Sequence, residues 1–211
     1  MILCNSTYFR ISNFNDSMKK YFVIFLISFL SCHNTKSISA DPMKESHEEV
    51  QLQDSALLNL RQKNDVVIAF ALIQTAWVKS VNYKIVTLNK NEWKGYNYSI
   101  NNTRHTTSGL TPVNVSNDSC NALWKFIQER DAVKIKDDNG ENFCSGDKKN
   151  SCNINDGASW QLLFITKKDV VTPAFYEPEF YENCCPGNKD RQLFLEVANK
   201  IKNIVPAGNE M

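Results

Sequence analysis

The chain has 211 residues, with 24 Lys and Arg against 23 Asp and Glu, and 42% of its residues are hydrophobic. The net charge of +1 is not the basic excess of a nucleic-acid binder, and no nucleic-acid partner is expected.

Residues 1–17 mix Asn, Ser, Asp, Phe and Ile without periodicity. They make a poor leader, so Met18 is expected to be the true start and 1–17 not to be translated. From Met18 the chain reads "MKKYFVIFLISFLSC". Lys19 and Lys20 supply a basic start and Tyr21 to Leu30 an apolar run broken by Ser28. That run is about half of the roughly 20 residues needed to cross a bilayer. The pattern is that of a secretory signal over 18–31. Ala40 lies ten residues beyond the run, too far to be its processing site, whereas Cys32 lies two beyond it. Phe29-Leu30-Ser31-Cys32 resembles the lipobox of bacterial lipoproteins. The resemblance implies that Cys32 becomes the first mature residue and carries lipid, palmitate included. It also implies a protein of the cell envelope, lipid-anchored to a bacterial membrane, with its domain in an oxidising extracytoplasmic compartment. Residues 32–42 are then a tether, since "HNTKSISADP" after Cys32 is too polar to fold alone.

A single α+β domain is expected over 43–208. Leaving out Arg10, Asp16, Lys19 and Lys20, 21 basic residues face 22 acidic ones, a net charge near −1. Residues 43–63 carry a partial helical stripe with Val50, Leu57, Leu58 and Leu60, ended by Asn64-Asp65. Val66 to Ile73 is a continuous apolar run of strand length. The alternating runs 81–88 and 93–100 flank "NKNE" as a β-hairpin. "NNTRHTTSGLTP" reads as a loop, and Val113 to Val115 as a short strand. Asn117-Asp118-Ser119 offer caps for a helix to about Arg130, with Cys120, Leu123, Trp124 and Ile127 on one face. Ala132 to Lys136 is expected as a strand, followed by turns at Asn139-Gly140 and Asp156-Gly157. Trp160–Thr166 and Val170–Tyr176 form a second hairpin around "KKD". Pro173 confines the later strand to an edge or bulge, because proline cannot donate to a ladder. A last helix spans about 190–204, with Leu193, Phe194, Val197, Ile201 and Ile204 on one face. Together these predict a two-layer α+β sandwich, an antiparallel sheet of two hairpins with helices packed on one face.

Seven cysteines are present. Cys4 falls in the untranslated stretch and Cys32 is the lipid carrier. Cys120, Cys144, Cys152, Cys184 and Cys185 are the disulfide candidates, allowed by export. Cys144 with Cys152 closes a short polar loop and is the expected first bridge. Cys120 with Cys184 or Cys185 is the next, and a vicinal Cys184–Cys185 bond is a strained alternative. Their spacing is not that of a zinc site. His33 follows Cys32, the expected lipid carrier, while His47 and His105 sit beside no cysteine, and none of the three lies in a HExxH pattern. No metal, cofactor or catalytic set is expected.

The densest functional-looking stretch is 175–182, "FYEPEFYE". Tyr176 and Tyr181, with Glu177, Glu179 and Glu182, are the candidate ligand-contacting residues. Aromatic faces beside acids suit a sugar or a cation, and paired carboxylates suit acid–base chemistry. The competing reading makes Phe175 and Phe180 core and leaves the acids solvated around a turn at Pro178. Trp77, Trp93, Trp124 and Trp160 are expected in the core. The function expected first is non-enzymatic: binding of a protein or glycan partner, as an inhibitor or immunity-type domain. The alternative is an envelope hydrolase or carbohydrate-binding module using 175–182.

Overall fold

A computed structural model describes residues 54–74, 79–102, 104–137, 144 and 152–207. Its first element exists because Asp54 caps it. The Asp54 carboxylate accepts from the backbone N–H groups of Ala56 and Leu57 at 2.9 Å, satisfying donors that the first turn leaves open. Helix α1 (Ser55–Lys63) follows and ends at Asn64. The part of the expected helix before Asp54 lies outside the described residues, as do the Asn139-Gly140 turn and Trp77.

Strands β1 (Val66–Gln74), β2 (Ser80–Asn89), β3 (Glu92–Asn101), β4 (Thr106–Thr107) and β5 (Thr111–Val113) come next. Helix α2 (Asn117–Glu129) and a 3-10 turn (Ala132–Lys134) lead to β6 (Ala158–Thr166), β7 (Val170–Val171) and β8 (Ala174–Tyr176). Helices α3 (Pro178–Cys184) and α4 (Lys189–Ile204) close the chain. The eight strands form one antiparallel sheet in the order β4-β3-β2-β1-β6-β7, with β5 also on β3 and β8 also on β6. The fold is therefore α+β, built from the two predicted hairpins, and β1 joins them. β1 pairs with β2 from Val66↔Leu88 to Gln74↔Ser80 and with β6 from Val66↔Thr166 to Gln74↔Ala158. That central place explains its unbroken apolar run, because both of its faces are buried.

The two faces are covered differently. Val66, Ile68 and Phe70 pack with Leu123, Trp124 and Ile127 of α2 and with Phe194, Val197 and Ile201 of α4. Val67, Ala69 and Ala71 point the other way and pack with Leu57 and Leu60 of α1. The two long helices share one face, as expected, and the leading helix adds a partial layer on the other.

Several local expectations change. The β2–β3 turn is only Lys90-Asn91, both at positive φ (48° and 71°). Two such residues match the twist of the flanking strands. The 101–112 stretch expected as a loop holds the last residue of β3, all of β4 and the start of β5. Ala132 to Lys136 is not a strand. Asp131 adopts φ 50° after α2, and Lys134 N–H donates to its carbonyl at 2.8 Å. The backbone is satisfied locally, so Ala132, Val133 and Ile135 plug the core from a turn. Pro173 falls between β7 and β8, where its carbonyl still accepts from Leu162 N–H at 2.9 Å.

Candidate functional site

The stretch 175–182 runs from the end of β8 into α3. Phe175 pairs opposite Trp160 on β6 and its ring lies 4.8 Å from that of Phe194, so it is core. Glu177 adopts a left-handed conformation (φ 40°) that ends β8 and starts the helix. Pro178 occupies the first turn, where its missing N–H costs nothing. The expected turn around Pro178 is thus a helix start, and Tyr181 lies on its buried side.

Each acid of the cluster is engaged within the fold. The Glu177 carboxylate accepts from Ala158 N–H, while Glu177 N–H donates to the Ala158 carbonyl at 3.0 Å. Tyr176 Oη accepts from Gly157 N–H at 2.8 Å. Gly157 is required here, because a Cβ at this position would run into the Glu177 side chain and the Tyr176 hydroxyl. Glu179, exposed, pairs with Lys202 at 3.4 Å, and the Lys202 ammonium sits 4.2 Å from the Trp160 ring centroid.

Glu182 has the strongest set. Its Oε2 accepts from Arg191 Nε at 2.9 Å, and its Oε1 from Gln192 Nε2 at 2.6 Å and Gly187 N–H at 3.2 Å. Arg191 is only 1% exposed and also donates to the Cys185 carbonyl at 2.6 Å. Burial alone would raise the Glu182 pKa, but the donors of Gln192, Gly187 and Arg191 hold it below its ordinary value. Glu177, Glu179 and Glu182 thus meet β6, the C-terminal half of α4 and the N-terminal half of α4 respectively. Paired carboxylates doing acid–base work must reach one substrate, and among the described residues the contacts of these three go to different neighbours.

The cysteines hold this corner together. Cys144 bonds Cys185 and Cys152 bonds Cys184. The expected Cys144–Cys152 bridge is therefore incorrect, and so are the Cys120 and vicinal alternatives. Cys144 and Cys152 each bond a cysteine at the end of α3, because Cys184, its last residue, and Cys185, its C-cap, stand side by side. The bridges pack with Tyr181, flanked by Ile154, Tyr176 and Phe180, in a small core of their own. Three of the sulfurs, those of Cys144, Cys152 and Cys185, lie within 4.8 Å of one another, a closeness that the adjacent bridges account for. Cys120 is a free thiol in the main core, where burial pushes its pKa up to about 11. A thiol held protonated in apolar surroundings is unreactive.

His105 is exposed in a left-handed turn (φ 51°). Trp93 and Trp124 are core, and Trp160 is partly buried against it. Arg191 is the residue that inspection of the cluster alone misses. Its signal is position: Arg191 falls on the same α4 face as Phe194, Ala198 and Ile201, and a cation on an apolar stripe implies a buried acid. No protein-family model matches the chain, and neither does any curated protein.

Proposed function

We propose that this chain is a membrane-tethered lipoprotein of a bacterial cell envelope whose domain binds a macromolecular partner without catalysis, in the manner of an inhibitor or immunity-type protein. The carrying observation is the pair of nested disulfides, Cys144–Cys185 and Cys152–Cys184. Such bridges persist in oxidising, extracytoplasmic compartments, which is where the lipobox-like Phe29-Leu30-Ser31-Cys32 would deliver the domain. The lipid at Cys32 that the lipobox-like sequence implies would tether the domain there. The hydrolase or carbohydrate-binding alternative is not favoured, because Glu177 and Glu182 are already engaged by Ala158 and Arg191.

Mass spectrometry of the mature N-terminus tests the anchor. The expected species begins at a diacylated or triacylated Cys32, and Cys32→Ser leaves the protein unacylated. An unmodified chain beginning elsewhere overturns the reading. The binding role is tested by identifying what cross-links to the membrane-extracted protein. A reproducible protein or glycan partner supports it, and turnover of a cell-wall substrate that depends on Glu179 overturns it.

A further inference from the structure

Three separate chain segments bring their cations to one end of the sheet. The last turn of α1 carries Arg61 and Lys63, the β2–β3 turn Lys90 with Lys94 beyond it, and the β6–β7 turn Lys167 and Lys168. Asp65 binds them together: one oxygen accepts from Lys90 N–H at 3.1 Å and the other from Lys167 Nζ at 3.2 Å. Arg61 donates to the carbonyls of Thr166 and Lys167 at 2.9 and 3.1 Å, and Asn89 to that of Lys63 at 2.9 Å. The juxtaposition is thus built by the tertiary fold, since the segments lie more than a hundred residues apart between Arg61 and Lys167.

Lys63, Lys90, Lys94, Lys167 and Lys168 are all exposed. Six cations at this end face Asp65, Glu92, Asp118 and Asp169, the start of β3 being held to Asn117 through Trp93 N–H, a local net charge of +2. The whole chain carries +1, so everything else together carries −1. One end of an otherwise slightly acidic protein is therefore basic.

We propose that this end rests on the anionic surface of the bilayer to which the chain is tethered. The inference rests on the tethered reading above and adds an orientation to it. Two arguments select a lipid surface. The first is charge complementarity: phosphate headgroups attract each nearby Lys or Arg, but only within a Debye length of about 8–10 Å, so a concentrated basic end matters where a dispersed charge would not. The second is reach: the ten residues 33–42 expected as the tether, at most about 3.3–3.6 Å each, hold the start of the domain within about 33–36 Å of the lipid surface. With the basic end down, Glu179, Glu182 and the disulfide corner are free of the phosphate surface that would repel them.

The test uses the purified full chain on vesicles of phosphatidylcholine alone or with added phosphatidylglycerol. A membrane-impermeant amine-acylating reagent reads the exposure of each lysine by mass spectrometry. On the anionic vesicles Lys63, Lys90 and Lys168 are expected to react on the order of tenfold more slowly than on the neutral ones. Lys125 and Lys200 should react alike on both, and high salt should erase the difference. The triple variant Lys63→Gln, Lys90→Asn, Lys168→Gln should lose the anionic-lipid effect on Lys167. A control with the same charge change elsewhere, Lys125→Gln, Lys134→Gln, Lys200→Gln, should keep it, and an unchanged unfolding midpoint shows that both fold. Equal labelling on the two lipids overturns the proposal, as does equal loss in the control. The mass of the mature N-terminus is read separately. If no lipid is found at Cys32, the tether fails while the lysine pattern still decides whether the basic end meets the membrane.

Discussion

Replacing Glu182 by Ala removes the anionic partner of a guanidinium that is 1% exposed. Arg191 keeps its bond to the Cys185 carbonyl at 2.6 Å but loses the 2.9 Å ion pair. Gln192 and Gly187 lose their shared acceptor as well. Breaking a buried pair by removing one partner costs about 3–5 kcal/mol. The Glu182 side chain is 18% exposed, which lets water reach the vacated side, so the lower end, about 3 kcal/mol, is expected. Urea unfolding with both disulfides intact should then show the midpoint falling by about 1–3 M at an unchanged slope. The pH dependence carries a second sign. The folded-state pKa of Glu182 lies below its ordinary value of 4.5. Its contribution is therefore present in full above the unfolded value and lost as pH falls through the folded one, and Glu182→Ala should flatten that acid limb. In the double variant with Arg191→Met, the buried cation is gone and the methionine fills the α4 face, so much of the loss should be recovered. A cost for Glu182→Ala below about 1 kcal/mol, the range of an exposed pair, would refute the reasoning.

Four further outcomes follow from the structure. Peptide mapping without reduction should recover Cys144 linked to Cys185 and Cys152 linked to Cys184, with Cys120 unreactive to thiol reagents until the protein unfolds. A vicinal Cys184–Cys185 peptide would contradict the arrangement. The loops span 41 and 32 residues and are nested. With either bridge in place the other closes only a loop of about ten residues, so losing one should cost roughly 2–3 kcal/mol and losing both roughly 6 kcal/mol in the chain-entropy picture. This is measurable by comparing the Cys144→Ser/Cys185→Ser and four-serine variants. Tyr98 and Tyr83 are raised to about 12, mainly by burial, with Asp54 adding to it through a bond to Tyr98 Oη at 2.9 Å. Their neutral forms favour the fold, so that stability is whole below pH 10 and declines as pH rises through about 12. Tyr98→Phe should soften the alkaline limb in a denaturant series. Gly157→Ala places a methyl against the Tyr176 hydroxyl and the Glu177 side chain and should cost about 1–3 kcal/mol as overpacking, read as a drop in the thermal midpoint.

Much of this protein is local physics and therefore readable along the chain. The proposed envelope address rests on features of this kind, since a basic start, a short apolar run and Cys32 need no tertiary context. β1 is local in the same sense, because a run buried on both faces must be apolar throughout, and so are α2 and α4, whose apolar residues recur at helical spacing. The two hairpins follow from alternation and turn residues. Other features depend on what lies opposite. Ala132 to Lys136 has strand composition, yet Asp131, at φ 50°, turns it into a 3-10 segment over Ala132–Lys134. The acids of 175–182 look like a functional cluster in one dimension. In three they belong to Ala158, Lys202 and Arg191, because a helix starting at Pro178 points successive side chains to different neighbours. The cysteines are the plainest case. Spacing favoured closing Cys144 onto Cys152, but pairing is decided by which sulfurs the folded backbone brings together, and the end of α3 offers Cys184 and its C-cap Cys185 side by side. The basic end around Asp65 arises in the same way, from turns distant in sequence that the sheet lines up at one edge of the molecule.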